Sequence, residues 1–211
     1  MSDLLKNKAY SFIKDKILSC EYNPLSFLDV SSIADELGIS RTPVRDAMAL
    51  LEQEELVQII PRHGVMVLGI SANLINDIIS TRQLVEPYAA RVAALNADEE
   101  TLLTFREIFD HPKEDIMNLI KKDQELHKYI ISCTGNAYII SMMDRIFSNN
   151  LRLMLAGSSV PGRFEISNRE HIDIIDTLLE RNPEKAEKMM TKHLNNAKES
   201  EYEAAGLLMR G

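Results

Sequence analysis

Two short β-rich runs, Val57 to Ile60 and Val65 to Leu68, are joined by Pro61, Arg62, His63 and Gly64. That pattern predicts a single β-hairpin. After Ser71 no further β-rich run of this kind occurs. Apolar residues there recur at spacings of three and four, interrupted by Pro, Gly, Asn or polar breaks, so the remainder is expected to be helical. The spacing predicts helices near 72 to 95, 98 to 110, 114 to 133, 136 to 156, 164 to 181 and 184 to 205. With 211 residues, the chain has room for two modest domains. The change in periodicity places their boundary at residues 70 and 71, giving segments 1–70 and 71–211.

Ahead of the hairpin, Leu5, Ala9, Phe12, Ile13, Ile17 and Cys20 mark a helix over residues 4 to 20. Glu21 to Leu28, with Asn23 and Pro24, reads as a loop. Ser31 or Ser32 then caps a short helix carrying Ile33, Ala34 and Leu37, which Gly38 ends. Ser40 caps a third helix that runs to about Gln53, with Pro43 tolerated in its first turn. The first segment is therefore three helices and a hairpin.

No apolar run approaches the ~20 residues that span a bilayer, and the N-terminus lacks the features of a secretion signal, so the chain is expected to be cytoplasmic. Cys20 and Cys133 form no C-x-x-C pair and are read as buried or free thiols. With 24 Lys and Arg against 32 Asp and Glu, the net charge of −8 argues against nonspecific coating of nucleic acid. A small local basic patch survives that objection.

Such a patch lies on the third helix. Val44, Ala47, Met48 and Leu51 form its apolar stripe, which turns Arg41, Thr42 and Arg45 onto a separate face. A short helix, a glycine turn and a second helix bearing paired arginines is a helix-turn-helix, whose second helix lies in the major groove. The arginine fork grips guanine O6 and N7, or a phosphate, with two hydrogen bonds. The hydroxyls of Ser40 and Thr42 suit phosphates.

The run Ile39 to Ala47, followed by Leu50-Leu51-Glu52 and Gly64, resembles the winged-helix domain of GntR-family transcription regulators. The resemblance implies that Arg41 and Arg45 contact an operator, that Thr42 supports them, and that His63 and Gly64 at the wing tip enter the minor groove. Two glycines usual in that family are replaced here, in Pro24-Leu25 and in Glu54-Glu55-Leu56.

In the second segment the stripe Ile116, Ile120, Asp123, His127, Ile130 places an acid and an imidazole on the apolar side of one helix. His171 falls in line with Ile174, Ile175 and Leu178. His193 falls in line with Ala186, Met189, Met190 and Ala197. Unpaired buried carboxylates and imidazoles are costly, so a shared divalent cation is the economical partner. Imidazole with one carboxylate suits a transition metal such as Zn, Ni or Mn, with open positions for water or an exogenous ligand.

Asp-x-x-x-His, then Glu170-His171, then His193-Leu194, resembles the FCD ligand-binding domain found in one GntR subgroup. The fold so implied is mainly α, a winged helix-turn-helix followed by an antiparallel bundle. In that subgroup the positions matching Asp123, His127, His171 and His193 hold a metal, and a small carboxylate effector often completes its shell. Arg82 and Arg152, with Asn150 nearby, are the candidate effector-binding residues. Arg82 either meets the effector or pairs with Glu86, and Arg152 faces either pocket or solvent.

These readings describe a homodimeric, effector-responsive regulator of a double-stranded DNA operator, with no enzymatic activity and no membrane attachment. Two-fold symmetry supplies two half-sites. The alternative is a metal-dependent hydrolase using the same His/Asp cluster.

Overall fold

The computed structural model describes residues 2–19, 21–112, 116–158 and 160–208. The chain divides into two compact units, Met1–Ile70 and Ser71–Gly211. In the first, helices α1 (Ser2–Leu18), α2 (Val30–Leu37) and α3 (Arg41–Gln53) close over a core that includes Ala9, Ile13, Ile17, Val44, Ala47 and Leu51. Cys20 lies outside the described residues.

The wing has three strands where the sequence pattern predicts two. Strand β1 (Phe27–Leu28) falls in the predicted loop and pairs antiparallel with β3 (Gly64–Val67), which also pairs with β2 (Val57–Ile60). Two residues are too few to show a period, so only the pairing of Phe27 with Met66 and Leu28 with Val65 makes them a strand. The predicted cap of α2 is also corrected. Asp29, not Ser31 or Ser32, holds the capping position and accepts from Ser31 N and Ser32 Oγ, both at 2.8 Å. Ser40 does occupy the N-cap of α3, but its side chain makes no capping bond.

Both positions at which the resembled family carries glycine keep a left-handed backbone here, with φ of 65° at Leu25 and 58° at Glu55. Glu55 ends α3 in a Schellman arrangement, with Leu56 N bonded to Leu51 O at 3.0 Å. A side chain in that conformation costs about 1 kcal/mol, partly offset in a glycine variant by the greater freedom of its unfolded chain. Glu55→Gly is therefore expected to stabilise the first unit by roughly 0.5 kcal/mol in urea unfolding. A loss of stability there would show that Glu55 makes a compensating contact.

The second unit is a bundle of α4 (Ala72–Asn96), α5 (Glu99–Asp110), α6 (Ile116–Ser132), α7 (Ala137–Ser158), α8 (Arg163–Leu179) and α9 (Pro183–Leu208). The start predicted for α6, at residues 114 and 115, lies outside the described residues. Pro87 sits inside α4 without ending it. The core gathers Ala90, Ala93, Phe109, Leu126, Ile130, Phe147, Ile174 and Met190. Helix α9 packs along α4 and also meets α7 and α8, while α6 lies on α4 and α7. That arrangement turns one face each of α4, α6, α8 and α9 toward a shared interior. Ile116, which opens the predicted α6 stripe, is exposed, whereas Leu119 and Ile120 are buried. Cys133 is a half-buried free thiol. Among the described residues no helix is long and apolar enough to cross a membrane.

Candidate functional site

Two groups of residues stand out, one in each unit. On α3, Val44, Ala47, Met48 and Leu51 are buried, and this anchors the helix so that Arg41, Thr42 and Arg45 are exposed together with Ser40. The helix is tied to the wing by Glu52, whose Oε1 accepts from Ile59 N at 2.7 Å. At the wing tip His63 N donates to Ile60 O at 3.0 Å, and His63 Nδ1 lies 3.0 Å from Pro61 O. His63 and Gly64 are both exposed. Gly64 has a φ of 115°, which a side chain rarely tolerates, so the glycine is required by the turn itself. Arg62, which the sequence reading passed over, is exposed beside them with a φ of 66°.

In the second unit the three buried histidines meet. His127 on α6, His171 on α8 and His193 on α9 each offer a ring nitrogen, and these atoms lie within 4.8 Å of one another. Asp123, one turn before His127, places Oδ1 3.3 Å from His127 Nε2 and Oδ2 3.4 Å from His171 Nε2. All four predicted ligands are thus brought together, with Asp123 less deeply buried than the histidines.

Carboxylates behind the rings orient two of them. Glu86 Oε2 lies 2.5 Å from His127 Nδ1, and Glu170 Oε2 lies 2.9 Å from His193 Nδ1. Burial would raise the Glu86 carboxyl, but the Arg82 charge and His127 hold it at about 2. Burial likewise opposes ionisation of Glu170, which hydrogen bonds from His193 and Asn196 and the Arg163 charge hold at about 2. An ionised carboxylate only accepts, so each Nδ1 carries the proton and leaves its Nε2 lone pair free. His127 Nε2 and both nitrogens of His171 are buried without a hydrogen-bond partner. One nitrogen of a neutral imidazole carries a proton and the other a lone pair, so each of these two rings keeps one buried lone pair that fits a metal ion, and shifts of under about 1 Å would bring the three nitrogens to the ~2 Å that zinc takes.

The remaining candidates separate. Arg82 is buried and donates to Glu86 Oε1 at 2.5 Å and to Asn150 Oδ1 at 3.1 Å, so the intrahelical pair is present. It also lines a cavity of about 50 Å³ together with Asp123, Arg163, Asn168, His193 and Glu201. That volume admits a few waters or a small ligand. Arg152 on α7 is buried, not turned to solvent.

Sequence reasoning missed Arg163 and Glu201 and gave Glu170 no role. Arg163 donates to Glu170 Oε2 at 2.9 Å and stands at the start of α8, where no stripe marks it. Glu201 carried a readable signal. His193, Ala197 and Glu201 fall at steps of four on one face of α9.

Burial, reinforced by the neighbouring imidazoles, pushes His171 well below its ordinary value and His193 down to about 3, with Glu170 working in the opposite direction on both. The unfolded chain therefore binds more protons than the folded one between pH 3 and an unperturbed histidine value of about 6.5. Stability of the metal-free unit is fully present above that value and is lost as pH falls through the window. Melts at pH 7.5 and 5.5 check this, the lower pH giving the lower Tm; equal values would mean that the imidazoles are solvated.

Two family models cover most of the chain. Residues 5–67 match bacterial regulatory proteins of the gntR family, and residues 77–196 match the FCD domain. The HTH-type transcriptional regulator YdhC of Bacillus subtilis is 23% identical over 193 residues, covering 89% of this chain and 86% of its own. A GntR transcriptional regulator structure from Rhodococcus sp. RHA1 superposes with a TM-score of 0.77 at 23% identity, covering 94% of this chain and 97% of the other. The Zn2+-bound FCD domain of TM0439 is 26% identical with a TM-score of 0.54, covering 68% of this chain and 99% of that domain.

Proposed function

The chain belongs to the GntR family of DNA-binding transcription regulators and carries an FCD domain, and from that membership we propose that its helical unit binds a divalent transition metal and a small carboxylate effector that alters operator affinity. It is a regulator and not an enzyme, which removes the hydrolase alternative.

The observation that carries the proposal is the convergence of three buried imidazoles, two of them aimed by carboxylates, with His127 Nε2 and both nitrogens of His171 left without a hydrogen-bond partner. Asp123, His127, His171 and His193 would hold Zn, Ni or Mn, the ion supplying a positive docking point for a carboxylate. Asp123 and His193 line the cavity, so a ligand there reaches the ion's open side. Arg82, fixed by Glu86 and Asn150, presents its charge to the same cavity. Arg152 adds a buried positive charge on α7, the helix that also carries Asn150. On the DNA side, Arg41 and Arg45 read base edges, Ser40 and Thr42 hold phosphates, and His63 and Gly64 enter the minor groove.

A homodimer is supported by apolar side chains left exposed on the helical unit. Leu84, Tyr88 and Leu95 share one side of α4, and Tyr138 and Met142 are one turn apart on α7. A second copy would cover such surface and double the DNA contacts. The effector acts by binding the DNA-competent and incompetent arrangements with unequal affinity. The cytoplasm is where such a regulator meets its operator.

The test is metal content and DNA binding together. Purified full-length chain is expected to retain about one metal per subunit, and small carboxylates to shift its affinity for a duplex it has selected from a random pool, read by fluorescence anisotropy. Metal-free chain that binds DNA identically with and without every acid tried would refute the proposal.

A further inference from the structure

We infer that Glu201 is a specificity-determining residue of the effector cavity, selecting a carboxylate whose far end carries a hydrogen-bond donor, hydroxyl or ammonium. This inference rests on the effector reading above and deepens it. Glu201 lies on α9, 3% exposed, in the wall of the cavity that holds Arg82, Asp123 and His193. Its Oε2 has no hydrogen-bond partner. A buried carboxyl oxygen left in that state is unfavourable, so it is a standing demand for a donor that no other described residue meets. Its neighbours in the sequence, Glu199 and Glu203, do not share the position: both are exposed.

The geometry assigns the two ends of the ligand. Two helical turns, about 12 Å along the axis, separate His193 from Glu201. A carboxylate drawn to the metal cluster and Arg82 therefore leaves its opposite end to meet Glu201. Burial raises the Glu201 carboxyl to about 7, with Arg82 and Arg163 working against the shift, so near neutrality it is available both as acid and as carboxylate. A hydroxyl suits either form, and an ammonium group suits the carboxylate. An unsubstituted alkyl end would leave Oε2 as it is now.

The test is calorimetric titration of the zinc-loaded full chain at pH 7.5 with butyrate, 4-hydroxybutyrate and 4-aminobutyrate, which share a skeleton and differ at the far end. At least one donor-bearing acid is expected to bind about tenfold tighter than butyrate. Glu201→Leu should bring all three within about threefold of one another while zinc stoichiometry stays at the wild-type level. Glu201→Gln, which keeps an oxygen acceptor in the same volume, should retain any preference for the hydroxyl acid and lose any preference for the ammonium acid. Should the wild type fail to take up zinc, or bind none of the three acids, the effector reading falls and this inference with it. Acid binding with no donor preference, or a preference that survives in both variants, overturns this inference alone.

Discussion

Zinc added to metal-free chain is expected to raise its Tm by about 10 °C, and the combined Asp123→Ala, His171→Ala substitution to remove that rise. A ligand that binds only the folded state stabilises it by about 4 kcal/mol at a free concentration a thousandfold above its Kd. A unit of this size gains about 2 to 4 °C per kcal/mol. The imidazoles are prearranged for this. Glu86 and Glu170 already fix the proton on Nδ1 of His127 and His193, so binding orders little that is not ordered in its absence. The double variant loses the one carboxylate that bridges two rings and the ring whose nitrogens are both unbonded. Calorimetric melts with and without chelator, together with metal analysis, settle the matter. One zinc per subunit in the double variant would place the ion elsewhere.

Arg41→Ala with Arg45→Ala is expected to weaken binding to the selected duplex by about 2 to 6 kcal/mol, which is thirtyfold at the low end. One turn apart on an exposed face, the two guanidiniums reach neighbouring positions of a single groove. Because Val44, Ala47, Met48 and Leu51 anchor the opposite face, truncating the arginines leaves α3 folded, and the melting temperature should stay within about 2 °C of wild type. Anisotropy titrations at two salt concentrations separate the roles. A residue on phosphate lowers the salt slope by about one and weakens all sequences alike, whereas a base reader loses discrimination. Unchanged affinity in the double variant would move the DNA-reading surface off this helix.

The metal cluster was legible because an ionisable residue inside an apolar stripe is an anomaly that helical periodicity exposes. Asp123, His127, His171 and His193 each break such a stripe, and the structure brings their side chains together. The groups that orient them were harder to find. Glu86 and Glu170 are two of many acidic residues on helices, and a glutamate in sequence looks the same whether it meets water or a ring nitrogen. The i, i+4 relation of Arg82 and Glu86 was visible, yet their burial beside His127 depends on α6 packing on α4.

The chain's own residues determined the helical character of the second unit, the three helices and hairpin of the first, and the faces that must be inward. Periodicity is a local property, and a dozen neighbouring residues are enough to express it. Tertiary structure alone decided that Phe27 and Leu28 become a strand, because pairing needs a partner some forty residues away. It also decided that Leu25 and Glu55 hold a backbone better suited to glycine, since the surrounding elements outweigh a strain of about 1 kcal/mol. Glu201 stands between the two: its step of four from Ala197 and His193 marks the face it shares with them, but only packing shows that this face closes over a cavity.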